Sequence, residues 1–290
     1  MLKPLCNQCP RRCGAVRTDK ENIGGYCGMP SLPKIARADL HFWEEPSISG
    51  KNGSGTIFFS GCSLSCVYCQ NYEISHKNEG RVVSVEELAR IMRELEKRGA
   101  HNINFVNPTH YFSAIKEALS IYRPQIPLVY NSSGYDLSEN IAEDIFDIYL
   151  FDLKYTSNDV SLKYSGAADY VTHATAAIKT AYSLKKNTFD KSGIMLRGVI
   201  VRHLVLPMNT RAALSAVEWF CENTPDATLS IMSQYTPCGE ASRFKELTRR
   251  ITPREYDKVL NYIYEKGIEN VYVQELNSSK LAYIPDFNMK

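Results

Sequence analysis

The sequence predicts a mixed α/β fold, a partial (βα)6 barrel of the TIM type preceded by a small cysteine-rich module. Three observations carry that reading. Short apolar runs alternate with amphipathic segments from about residue 56 to the end, which implies parallel strands joined by crossover helices. Polar residues close nearly every apolar run, where parallel α/β folds place their sites. The first fifty-odd residues instead cluster Cys, Gly and Pro and show little periodicity.

The elements follow in order. Thr56–Gly61 (TIFFSG) reads as the first strand. Ser84–Arg98 reads as a helix, with Ser84 and Glu87 spaced as a capping box. Ile103–Asn107 is a strand and Tyr111–Ile121 a helix. Pro127–Asn131 is a strand and Ser138–Phe146 a helix. Ile148–Lys154 is a strand, and Tyr170–Lys185 the helix after it. Ile194–Leu206 contains a strand and Thr210–Glu222 is a helix. Thr228–Met232 is a strand. Thr252 caps a last helix, with Pro253 at its first position and Glu255 completing a second box. Asn270–Gln274 closes the series as a further strand. The domain expectation is a cysteine-rich module at 1–52 and a barrel core with a C-terminal extension at 53–290.

Composition narrows the function classes. The chain has 290 residues and 44% are apolar, enough for a sizeable core. Thirty-four basic residues against thirty-two acidic ones leave +2, so charge alone argues for neither nucleic acid nor an anionic membrane. No apolar run reaches membrane-spanning length and the N-terminus lacks the pattern of a signal peptide. A cytoplasmic protein is expected. Nine cysteines, an odd number in a large chain without an export signal, speak for metal or cluster ligation over disulfides.

The sharpest motif is GCSLSCVYCQN, Gly61–Asn71, with Cys62, Cys66 and Cys69 spaced C-x₃-C-x₂-C directly after the first strand. Thiolates select iron–sulfur clusters or zinc. A [4Fe–4S] cluster takes one ligand per iron, so three cysteines leave one iron open. Structural zinc needs a fourth protein ligand, and His76 is the only candidate nearby. Both centres stay open on spacing alone. A second set, Cys6, Cys9, Cys13 and Cys27, offers four thiolates, suited equally to zinc or to an auxiliary [4Fe–4S] cluster. Gly50–Gly55 (GKNGSG) precedes a strand and lacks the phosphate-loop pattern. His41–Glu45 (HFWEE) reads as packing plus solvated charge. Cys221 reads as a core residue, and Cys238 as one able to face the site.

C-x₃-C-x-aromatic-C after a strand, with Tyr68 as the aromatic, resembles the signature of the radical S-adenosylmethionine (SAM) superfamily. With HFWEEPSISG (His41–Gly50), DLK (Asp152–Lys154) and RHLVLP (Arg202–Pro207), the chain resembles the activating enzymes of pyruvate formate-lyase, in a branch labelled PflX-like. The resemblance implies that Cys62, Cys66 and Cys69 bind three irons and that SAM chelates the fourth. One electron then cleaves SAM to a 5′-deoxyadenosyl radical, which takes a hydrogen atom from the substrate. It implies cofactor-binding roles for Tyr68, Asn107, Thr109, Ser132, Asp152, Lys154, Arg202, His203 and Gln234. Asn107-Pro108-Thr109 stands where the family carries an acidic residue for the SAM ammonium. The substrate is a glycine of a partner enzyme, or else a small molecule or peptide. The electron donor is one such as flavodoxin or ferredoxin. A non-catalytic iron–sulfur or zinc module is the reading from another class. No catalytic residue is assigned.

Overall fold

The structure is a computed structural model that describes residues 5–276. The expected module and extension reach beyond this span, to residues 1–4 and 277–290, which lie outside the described residues. Eight strands build the main sheet: β1 (Lys34–His41), β2 (Ser54–Phe59), β3 (Ile103–Val106), β4 (Leu128–Ser132), β5 (Ile148–Asp152), β6 (Met195–Leu204), β7 (Thr228–Met232) and β8 (Val271–Val273). They lie in the spatial order β8-β7-β6-β5-β4-β3-β2-β1, and two-residue strands at Arg81–Val82 and Thr188–Phe189 join at β1 and β6. From β2 to β8 every neighbouring pair is parallel. Sequential order without a reversal keeps right-handed crossovers on one face, so the sheet curls as a partial barrel and has no switch point.

The crossover helices are α1 (Val85–Lys97), α2 (Phe112–Ile121), α3 (Ser138–Ala142), α4 (Asn158–Ser165), α5 (Tyr170–Leu184), α6 (Thr210–Asn223) and α7 (Pro253–Glu265). Thr252 and Glu255 form the full capping box of α7, whereas Ser84 caps α1 through Glu87 N alone and Glu87 turns its carboxylate to Arg81 and Arg90. The main core packs outward strand residues such as Ile57, Phe105, Phe151 and Val201 against helix residues such as Leu88, Ile115, Ile178 and Val217. Inward residues alternate with them. Val129, Ile148, Leu150 and Ile200, with Ile48 from the short helix Pro46–Ser49, plug the lower barrel. Among the described residues no helix is long and apolar enough to cross a membrane.

Three expectations change. The helix expected to Phe146 stops at Ala142, and α4 was not foreseen. The segment expected to be irregular contains β1, which pairs antiparallel with β2 from Ile35↔Phe59 to His41↔Ser54. Its residues, KIARADLH, are mostly half-buried on both faces, so no period-2 pattern shows. The sheet therefore begins inside the expected 1–52 module.

Candidate functional site

Gly61 sets the course of the cysteine loop. Its φ is +76°, and a Cβ there would meet Met29 Cγ at 2.3 Å and Cys27 O at 2.9 Å. Backbone bonds then fasten the loop: Gly61 N to Ile74 O at 2.8 Å, Ser65 N to Ser165 O at 3.1 Å and Val67 N to Tyr164 O at 2.9 Å. Asn107, itself in the left-handed region at φ +60°, donates from Nδ2 to Gly61 O and lies 3.6 Å from Cys62 Sγ. This amide braces the loop across the first two strand ends.

Each loop sulfur has a polar neighbour. Leu64 N donates to Cys62 Sγ at 3.4 Å, Ser165 Oγ to Cys66 Sγ at 2.9 Å, and Cys69 Sγ lies 3.1 Å from Ser75 Oγ. Behind Cys66 runs a chain of hydroxyls, Tyr68–Tyr155 and Tyr155–Ser165, both at 2.6 Å. Ser165 spends its proton on sulfur, so Tyr155 donates to Ser165 and Tyr68 to Tyr155. Burial raises all three thiols above their ordinary value, Cys69 to about 11, and the neighbouring cysteines add to the rise for Cys62 and Cys69. A bound metal reverses that balance, because it draws the thiolate form.

Below the loop lies a charged floor. Arg202 Nε donates to Asp152 at 2.7 Å, its Nη2 to Asn131 Oδ1 at 2.7 Å and its Nη1 to Glu44 at 3.2 Å, with Glu45 4.0 Å away. Asn104 and Asn131 donate to Glu44 at 3.2 and 3.1 Å. Asp152 also takes Lys154 Nζ at 2.6 Å. Three carboxylates thus face two cations. Burial raises Glu44 and Glu45 against the pull of Arg202, with Asp152 adding to the rise of Glu44 and Glu44 to that of Glu45. Burial pushes Asp152 the same way, but Arg202 and Lys154 outweigh it and hold Asp152 below the usual carboxylate range. Burial lowers Lys154, and Asp152 more than restores it.

Loop and floor enclose one cavity of about 450 Å³, within the range of small-molecule sites. Among the expected residues, Cys62, Cys66, Cys69, Tyr68, Asn107, Ser132, Asp152, Lys154, Arg202 and Gln234 line it. Thr109 and His203 do not. Thr109 opens a buried 3-10 turn at Thr109–Tyr111. His203 follows Arg202 in β6, so it takes the opposite face, and its Nδ1 meets Leu153 O at 2.6 Å. The Ser132 hydroxyl is engaged in the following turn, with Asp136 and with Gly134 N at 3.1 Å.

His41–Glu45 require a correction. The glutamates are not solvated: Glu44 and Glu45 side chains are only 10% and 7% exposed. His41, Phe42, Trp43 and Glu44 line the cavity, as does Gln274, which donates to Gln234 at 3.3 Å. No local signal marks these residues. Only the β1–β2 pairing and the crossing to β6 bring Glu44 to Arg202.

The N-terminal cysteines sit outside the loop. Cys6 N bonds Ala15 O and Arg12 N bonds Cys9 O, folding the segment into tight turns. Burial and the other three thiols raise Cys9 to about 12. Among the described residues no three Cys, His, Asp or Glu side chains converge tightly enough for a single metal ion. A cubane spreads its thiolates over separate irons, wider than the ligands of one zinc. The soft donors and sulfur-directed hydrogen bonds of Cys62, Cys66 and Cys69 fit such a cluster.

The chain is similar to several known proteins. The model of the Radical SAM superfamily matches residues 56–210, more than half the chain. An uncharacterized protein of Methanocaldococcus jannaschii, MJ0674, is 28% identical over 279 residues, covering 92% of this chain and 76% of its own length. Streptococcus suis SuiB bound to its precursor peptide SuiA superposes with a TM-score of 0.50 at 15% identity, covering 74% of this chain. SuiB bound to S-adenosylmethionine gives 0.49 at 14% identity, again over 74% of this chain. The matches span 47% and 48% of the two SuiB chains, so the chain covers about half their length, and the likeness to the peptide-bound form is one of fold alone.

Proposed function

The chain belongs to the radical SAM superfamily, and from that premise we propose that its cavity binds SAM against a [4Fe–4S] cluster held by Cys62, Cys66 and Cys69. The observation that carries this reading is the convergence of those thiols with Asp152, Lys154 and Asn107 on one cavity at the strand ends. When bound, cluster and cofactor supply a one-electron cleavage that yields a 5′-deoxyadenosyl radical able to abstract hydrogen.

The protein's own residues do the remaining work. Lys154 presents a fixed cation, held by Asp152 and by Tyr170, whose hydroxyl accepts from Lys154 N at 2.8 Å. It is the group suited to a carboxylate. Arg202 is engaged by Asp152, Asn131 and Glu44, so it positions Asp152 on the cavity floor. Asn107 fixes the loop through Gly61 O. The N-terminal quartet supplies a second set of soft donors, for zinc or an auxiliary cluster. An electron donor such as flavodoxin or ferredoxin, and a reducing compartment such as the cytoplasm, suit this chemistry.

The substrate we propose is a peptide segment, taken from a glycine of a partner enzyme as in the activating enzymes. Support comes from the amides of Gln70, Gln234 and Gln274 on the cavity wall, groups matched to a peptide backbone. Anaerobic reconstitution with dithionite and SAM tests the first step: 5′-deoxyadenosine is expected, and none above background with an intact cluster overturns the reading. A candidate peptide deuterated at glycine Cα tests the second, because the label should enter 5′-deoxyadenosine.

A further inference from the structure

The N-terminal cysteines grip the catalytic loop from behind. Arg11, between Cys9 and Cys13, donates from Nε to Ser63 O at 2.8 Å, inside the Cys62–Cys66 interval. Its guanidinium lies 3.8 Å from the ring centre of Tyr26, the residue before Cys27, and the Tyr26 hydroxyl reaches Ser65 Oγ at 2.8 Å. Cys27 O and Met29 are the atoms that restrict Gly61 to glycine. Arg17 ties the set together: its Nε donates to Met29 O at 2.9 Å, its Nη1 to His110 O at 2.7 Å, and Nη1 stands 3.7 Å from Cys6 Sγ. His110 Nε2 in turn meets Ser60 O at 2.8 Å.

Of the three arginines among the four cysteines, Arg12 turns to Glu139, and Arg11 and Arg17 suit an anionic centre. Four thiolates around zinc or around an oxidised cubane leave two negative charges. Arg11 Nη2 is buried and has no hydrogen-bond partner among the described residues, a costly state that an anion beside it relieves. The other three thiols lie near enough to Cys9 to raise it together, so the quartet gathers on one spot. All nine cysteines are free thiols, so no disulfide competes.

We propose that Cys6, Cys9, Cys13 and Cys27 close around a second metal centre, zinc or an iron–sulfur cluster with no open position, and that this centre is the clasp that fixes the Cys62–Cys69 loop through Arg11 and Tyr26. The clasp half rests on the loop itself holding a cluster. The metal half does not.

The first test is metal and sulfide analysis of the Cys62/Cys66/Cys69→Ala triple variant after anaerobic reconstitution. About four irons with matching sulfide, or about one zinc per chain, is expected. No metal overturns the site. The second test leaves every cysteine in place. Arg11→Ala should release loop-bound iron to a chelator several-fold faster and broaden the electron paramagnetic resonance signal of the reduced loop cluster, whereas Arg11→Lys should stay near wild type. Release rate and signal unchanged in Arg11→Ala overturn the clasp. Wild-type protein with no loop-dependent iron would instead fail the reading of the loop, a separate result.

Discussion

The cysteine loop and the charged floor occupy the two ends of one cavity and are built on opposite plans. The loop gathers its three donors from eight consecutive positions, and the fold holds them by backbone bonds from Ser165, Tyr164 and Ile74. The floor gathers Glu44, Asn104, Asn131, Asp152 and Arg202 from five separate strands or connections, and holds them by one another. A local device tolerates changes around it but none within it. A distributed one couples every member to the rest.

That contrast orders the expected effects. Single Cys62→Ala, Cys66→Ala or Cys69→Ala changes should reduce 5′-deoxyadenosine to background, with the corresponding loss of loop iron by metal analysis. A variant that kept product would break the comparison at its loop end. Arg202→Met should act on stability first. It strands Glu44, Glu45 and Asp152, and breaking one partner of such a buried set costs about 3–5 kcal/mol, measurable by anaerobic chemical denaturation.

The glutamates make the floor pH-sensitive from a lower starting point than the loop, whose thiols are raised from an ordinary 9.0. Burial raises Glu44 above its ordinary 4.5. The native state then binds more protons than the unfolded chain, so this contribution is complete below pH 4.5 and declines as pH rises through the raised value. Glu44→Gln should flatten that decline between mildly acidic and neutral pH. A variant with an unchanged stability–pH curve would show that Glu44 is not the group responsible. Asp152 runs the other way: its contribution is present above its ordinary 3.8 and fades as pH falls. The smallest effect belongs to the hydroxyl chain. Ser165→Ala removes a donor to Cys66 sulfur and should lower the cluster's midpoint potential, by less than the ~59 mV that marks a tenfold change in a one-electron equilibrium. Potentiometric titration reads it.

The same contrast explains what the sequence disclosed. Cys62, Cys66 and Cys69 announce themselves because a loop's chemistry is written in its spacing. The parallel strands and the caps at Ser84 and Thr252 are equally local. Asp152, Lys154 and Arg202 could be found because strand ends face the cavity in this class of fold. Glu44 and Glu45 could not: two adjacent acids after an aromatic pair read as surface until Arg202 arrives across the barrel. His203 shows the limit of reading strand ends as pairs, because consecutive residues point to opposite faces.

β1 has a consequence for how the chain reaches its final state. Its ladder to β2 joins residues close in sequence and can zip early. The bond it makes possible, Glu44 to Arg202, spans 158 residues. During synthesis both glutamates leave the ribosome long before their counter-ion exists, and they must stay hydrated until β6 is in place. Closing the floor is therefore a late event in assembly, and slowing translation between β2 and β6 should lengthen the life of an intermediate with a paired β1–β2 hairpin and an open, wet barrel.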